Sequence, residues 1–161
     1  MPAAVRTDLH RQLAPYRKAH RDVRWTRRET WHLTLLFLGS VAPDRVPELR
    51  VLVGDVANQT EPYRAVIDKG DGRGRRKDGV AWVSLTDGAG ALIEAATLAA
   101  RECPPDISDG PPPKRTPSAH LTVVRKADEA VVRALRDQAF GPLGVSWRVD
   151  RIQLVRSYLE P

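Results

Sequence analysis

Trp31-His32-Leu33-Thr34-Leu35-Leu36-Phe37-Leu38-Gly39 is an apolar run short enough for one strand, and near the other end it has an echo, Ala119-His120-Leu121-Thr122-Val123-Val124-Arg125. Successive side chains of a strand point to opposite faces, so residues two apart share one. His32 then stands beside Thr34, and His120 beside Thr122. Leu33, Leu35, Leu121 and Val123 turn the other way, into a core. Each imidazole and hydroxyl pair is thereby displayed on a surface backed by packed aliphatics. Two of the chain's four histidines fall in the same His-Leu-Thr-aliphatic tetrad. A lone strand histidine reads as a structural residue with satisfied ring nitrogens, whereas a repeated one reads as a working pair.

The flanking sequence gives each tetrad the same surroundings. Before the first, Val5, Leu9, Leu13 and Tyr16 fall at helical spacing and predict an amphipathic helix over residues 3 to 19, with Val23-Arg24-Trp25-Thr26 as a short strand. After it, Gly39-Ser40 ends the strand. Pro43 and Asp44 open a second helix with the stripe Val46, Leu49, Val53 and Val56. Tyr63 to Asp68 then reads as a strand, with Val80-Ala81-Trp82-Val83-Ser84-Leu85 as its hairpin partner. A third helix runs from Ala91 to Cys103, burying Leu92, Ala96, Ala99 and Cys103, until Pro104-Pro105 stops it. Pro111-Pro112-Pro113-Lys114-Arg115 is a stiff connector. Beyond the second tetrad, Asp128 caps a fourth helix with the stripe Val131, Val132, Leu135 and Phe140, and Val145 to Val149 and Ile152 to Val155 alternate as two strands. Strand, helix, strand, strand thus occurs twice, which marks a duplicated unit. The expected fold is α+β: a duplicated, bilobed arrangement of two antiparallel sheets around a central cleft, helices outside, as one domain over residues 1–161.

Composition sets the class of partner. Lys plus Arg number 26 against 20 for Asp plus Glu, a net charge of +6 that favours polyanions without selecting a sequence. A GC-rich genome would produce the same arginine-rich excess. Cys103 is the one cysteine, the N-terminal Met1-Pro2-Ala3-Ala4 lacks the layout of a signal peptide, and no apolar run is long enough to span a bilayer. The expectation is a cytoplasmic protein, off the membrane and monomeric by default.

Two histidines beside two threonines suit phosphoester chemistry. One imidazole accepts a proton while the other, held protonated, donates one, and hydroxyls at Thr34 and Thr122 supply hydrogen bonds to charged phosphoryl oxygens. Arg125, five residues after His120, carries a planar fork for the phosphate, or else is an ordinary charge at a strand end. A catalytic zinc site fits poorly, because no Asp, Glu or Cys lies at strand spacing in either tetrad. A serine-hydrolase elbow is missing. His10 and His20, among arginines, read as surface residues. The segment Gly70-Asp71-Gly72-Arg73-Gly74-Arg75-Arg76-Lys77-Asp78-Gly79 lacks the context of a dinucleotide or P-loop fingerprint, and reads either as a solvated hairpin loop or as a basic flap over phosphates.

His32-Leu33-Thr34-Leu35 and His120-Leu121-Thr122-Val123 resemble the paired His-x-Thr-x motifs of the two-histidine (2H) phosphoesterases. The sequence is similar to their bacterial RNA 2′,3′-cyclic phosphodiesterase branch, also called 2′-5′ RNA ligases. Arg24-Trp25-Thr26, Phe37-Leu38-Gly39, Arg125 and Leu154-Val155-Arg156-Ser157 fit that branch, and the likeness runs over about residues 3 to 158. The resemblance implies hydrolysis of an RNA 2′,3′-cyclic phosphate end to a 2′-phosphate without metal or other cofactor. It implies His32 as proton donor to the leaving 3′ oxygen and His120 as acceptor from water, with Thr34, Thr122 and Arg125 on the substrate. The resemblance also implies reversible joining of RNA through a 2′-5′ linkage. Relatives usually carry one more strand before the first helix and one after the Leu154 stretch, and often an aromatic in the glycine-rich loop where this chain has Arg73 or Arg75. Those departures leave a second expectation, an RNA-end-binding module that keeps the dyads without turnover.

Overall fold

The computed structural model describes residues 1–69, 74–75, 79–108, 119–128, 130, 132–133 and 142–157. Where the spacing predicts one helix over 3–19 there are two, α1 (Ala3–Gln12) and α2 (Ala14–Ala19), with Leu13 ending one and opening the other. Pro15 has no N–H to offer the carbonyl four residues earlier, and the helix breaks beside it. The expected stripe survives the break. Leu9 and Leu13 are fully buried, Val5 and Tyr16 lean on the same core, and α1 packs on the last strand.

After a 3-10 turn at Pro43–Arg45, α3 (Val46–Asn58) runs to the strand β1 (Tyr63–Lys69). β2 (Gly74–Arg75) and β3 (Val80–Ser84) follow, then α4 (Ala89–Glu102), β4 (His120–Val124) and β5 (Pro142–Val149). Among the described residues the strands form two small antiparallel sheets, β1-β5 and β2-β3-β4. The fold is therefore mixed α+β, as expected, but the pairing differs. β1 takes β5 as its partner, with Ala65 opposite Trp147 and Ile67 opposite Val145, and not the segment 80–85. β3 pairs instead with β2, which lies inside the glycine-rich stretch, and with β4. Proximity in sequence favours a hairpin, but burial decides the partner. Ala65, Ile67, Val145 and Trp147 all close on the main core.

Two further expectations are corrected. Neither Trp31–Gly39 nor Ile152–Val155 is a strand, and Val23–Thr26 is reduced to one isolated bridge, Trp25 to Val124. A strand exists only where a neighbour supplies the ladder, and alternation alone does not supply one. The alternating exposure of the first stretch persists without it. Trp31 is buried, Leu33 and Leu35 are half-buried on the main core, and His32 and Thr34 are exposed. From Leu36 the parity changes: Leu36 and Leu38 pack on a second, smaller core of Leu49, Cys103 and Ile107 between α3 and the end of α4.

Arg45 braces that second core from outside, with Nε donating to Glu48 at 2.6 Å and a terminal nitrogen to Asp106 at 3.3 Å. The same guanidinium holds the Asp106 carboxyl below the usual carboxylate range. Of the expected fourth helix, Ala130, Val132 and Arg133 are helical, and the Val132 N–H donates to the Asp128 carbonyl at 3.1 Å. Val131, Leu135 and Phe140 lie outside the described residues, as do 70–73, 76–78 and the connector Pro111–Arg115. No helix among the described residues is long and apolar enough to cross a membrane.

Candidate active site

β4 builds one half of the site. Leu121 is 1% exposed, while His120 and Thr122 on the opposite face are half-exposed. β3 matches this register, placing Trp82 opposite Thr122 and Ser84 opposite His120, so all four side chains share a face. The Trp82 and His120 rings meet there at 4.8 Å between centroids and 43° between planes.

Arg125 reaches this face only because the ladder is irregular. Ala81 pairs with Val124 and Trp82 with Thr122, so β4 carries one extra residue, Val123, between consecutive pairs. Strict alternation would send Arg125 inward with Leu121 and Val123. The bulge instead turns Val123 and Val124 both inward, each 0% exposed, and returns Arg125 to the side of His120 and Thr122.

The other half is held by tryptophan and threonine. A 3-10 turn at Arg28–Thr30 leads into Trp31, which is 3% exposed and anchors the first motif. Its indole Nε1 donates to the Thr26 hydroxyl at 2.7 Å. That hydroxyl in turn points its single hydrogen between the Thr122 and Val123 carbonyls, 3.1 Å from each, and the Thr26 N–H donates to the Val123 carbonyl at 2.9 Å. One side chain therefore ties the two motifs together. His32 is oriented by its own backbone, with Nδ1 2.7 Å from the Thr30 carbonyl. A carbonyl only accepts, so Nδ1 carries the hydrogen and Nε2 is left for chemistry.

His32, Thr34, His120, Thr122 and Arg125, all five residues singled out from the sequence, line one cleft of about 150 Å³ together with Thr26 and Thr30. Among the described residues the lining holds two imidazoles, four hydroxyls and one guanidinium, and no carboxylate. Such a set can pass protons and surround an anion. Among the described residues no group of three or more His, Cys, Asp or Glu is placed to hold a metal ion. The sequence reading did not assign site roles to Thr26, Thr30 or Trp82. Thr30 stands two residues before His32, so the same two-residue period contained a signal for it; Trp82 needed the β3–β4 register. His10, expected at the surface, is half-buried with its ring 6.3 Å from that of Trp31. Burial, then Arg17 and Arg28, lower its pKa.

An α+β chain that brings two His-x-Thr segments onto one small cleft has the makeup of a two-histidine phosphoesterase. The chain belongs to the 2′-5′ RNA ligase superfamily, whose sequence model matches residues 5–160. Two solved structures share its fold. E. coli LigT in apo form is 24% identical with a TM-score of 0.64, and E. coli LigT complexed with 3′-AMP is 25% identical with a TM-score of 0.61. Each comparison covers 92% of this chain and 78% of LigT. No curated protein sequence matches the chain. Membership makes this an enzyme of RNA phosphoester chemistry.

Proposed function

We propose that the protein hydrolyses the 2′,3′-cyclic phosphate at the end of an RNA to a 2′-phosphate, by proton transfer between His32 and His120. The observation that carries this reading is the convergence of both imidazoles, with Thr34, Thr122 and Arg125, on one 150 Å³ cleft. His120 takes a proton from water as its oxygen attacks phosphorus. The bond from phosphorus to the 3′ oxygen breaks, and His32, protonated at Nε2, gives that oxygen its proton. The product carries a 2′-phosphate and a 3′-hydroxyl. A 5′-hydroxyl of a second RNA in place of water would give a 2′-5′ linkage by the same proton movements.

The local structure supports these roles. The bond from His32 Nδ1 to the Thr30 carbonyl keeps Nε2 free in either charge state. When His120 accepts a proton, the Trp82 ring beside it stabilises the charge. Threonine hydroxyls and the Arg125 fork hold the phosphoryl oxygens. In this reading the two motifs are the facing halves of a duplicated, bilobed domain. LigT has been crystallised with 3′-AMP, a nucleotide bearing a phosphate on its ribose, which fits a ribose phosphate as the ligand class here.

The test is an oligoribonucleotide ending in a 2′,3′-cyclic phosphate, incubated in EDTA, with the product end mapped chemically. A 2′-phosphate is expected, and His32→Ala or His120→Ala should each lower the rate by about 10²–10⁴-fold. The rate should also peak at an intermediate pH, since one imidazole works charged and the other neutral. Binding with no product would replace this reading by an RNA-end-binding module.

A further inference from the structure

A second, larger cleft adjoins the reactive one. Arg17, Lys18, Arg21, Val23, Arg24 and Trp25 line about 550 Å³ at the surface, so four of the six described residues lining it are cations. The Trp25 indole donates to the His20 carbonyl at 3.1 Å, which fixes the ring, and the Arg17 guanidinium lies 5.7 Å from the ring centroid. Stacking of this kind holds the planar fork ready for a phosphate before one arrives. Among the described residues none of the four cations has a carboxylate within ion-pairing distance.

The two clefts share a length of backbone. The Arg24 carbonyl accepts from the Arg125 N–H at 3.2 Å, Trp25 bridges to Val124, and the next residue, Thr26, lines the reactive cleft. The reactive cleft, at 150 Å³, is smaller than the roughly 300–1,000 Å³ of ordinary small-molecule pockets. It suits a terminal phosphate and leaves the rest of a chain outside. Arg24 and Trp25 of the basic cleft directly precede Thr26 of the reactive one.

We infer that Arg17, Lys18, Arg21 and Arg24 form a track for the phosphates of the RNA strand behind the reacting end, so that the enzyme selects oligoribonucleotides over cyclic mononucleotides. This rests on the reaction proposed for the adjacent cleft. The track reads charge and spacing, not bases, because guanidinium and ammonium groups facing phosphates carry no sequence information.

The variants for the test are Lys18→Gln with Arg21→Gln, and separately Arg17→Gln. Both keep the side-chain stems, and melting curves check the fold. Adenosine 2′,3′-cyclic phosphate and a hexaribonucleotide with the same end are compared as substrates. Wild type should favour the hexamer in kcat/KM by about tenfold or more, and the variants should lose that preference through KM with the mononucleotide unaffected. In binding, the slope of log affinity against log salt should shrink by about 0.7 for each charge removed. Equal losses on both substrates, or none on the hexamer, would overturn the track. Fluorescence anisotropy with a hexamer ending in a 3′-hydroxyl reads the track without turnover. Loss of that binding in the variants supports it even if no cyclic phosphate is hydrolysed, so the two proposals fail separately. A polyglutamate of equal charge competing as well as the RNA would overturn the assignment to nucleic acid.

Discussion

Thr26 and Trp31 are joined by a 2.7 Å hydrogen bond from indole to hydroxyl, and the same hydroxyl reaches the β4 carbonyls of Thr122 and Val123. Residues 96 and 97 positions apart are thus locked through one oxygen. Thr26→Val keeps the shape but leaves the Trp31 N–H unpaired in a buried setting, at a cost of about 1–3 kcal/mol. Urea unfolding should show that loss, and Thr26→Ser should recover most of it. An unchanged midpoint for the valine variant would mean the tie carries no weight.

Trp82 supports His120 from the neighbouring strand at 4.8 Å. Trp82→Leu keeps apolar bulk and removes the π face, so kcat on a cyclic-phosphate oligonucleotide should fall by about two- to thirtyfold, the worth of an exposed to partly desolvated cation–π contact. Trp82→Phe should hold a larger share of the rate. If leucine and phenylalanine behave alike, the ring is only a spacer.

The segment beyond Arg125 crosses Gly79 closely. The Ala127 N–H donates to the Gly79 carbonyl at 3.0 Å, and a Cβ on Gly79 would lie 2.2 Å from the Ala127 carbonyl oxygen. Gly79 also has φ +58, which costs an L-residue roughly 1–2 kcal/mol before any clash. Gly79→Ala should therefore destabilise by more than that amount. Lys126, at φ 58, bears the same strain already, so Lys126→Gly should raise the thermal midpoint. Opposite shifts in paired melting curves are the expected outcome.

His10 gives stability a pH dependence near neutrality. Burial against Trp31 and the nearby Arg17 and Arg28 lower its pKa, so the unfolded chain binds the proton more readily than the folded one. Its contribution is fully present above the ordinary histidine value of about 6.5 and is lost as pH falls through the lowered folded value. Chemical denaturation at pH 7.5 and 5.5 should show a drop that His10→Gln reduces. An identical drop in the variant would assign the effect to other groups.

The repeated His-x-Thr tetrad, read at a two-residue period, was enough to pick out His32, Thr34, His120 and Thr122, four of the seven described residues that line the cleft. It was also enough for the inward aliphatics and the mixed α+β class. These follow from local geometry, since which side chains share a face depends only on extended backbone and sequence spacing. The end of α4 was legible for the same reason, through Pro104, whereas the break at Pro15 was not, because the apolar spacing runs unbroken over residues 3–19 while the proline splits them into α1 and α2.

Partner choice was not legible. That β1 closes on β5, that β3 pairs with β4, and that Trp31–Gly39 joins no ladder all depend on which apolar faces bury one another across long sequence separations. Arg125 shows the difference most sharply. Its identity and distance from His120 are in the sequence, but simple alternation puts it in the core; only the extra residue in β4, forced by pairing with Ala81 and Trp82, turns it toward the imidazoles. The tetrads determined what chemistry was available, and tertiary pairing decided that both copies, with their arginine, would serve one cleft.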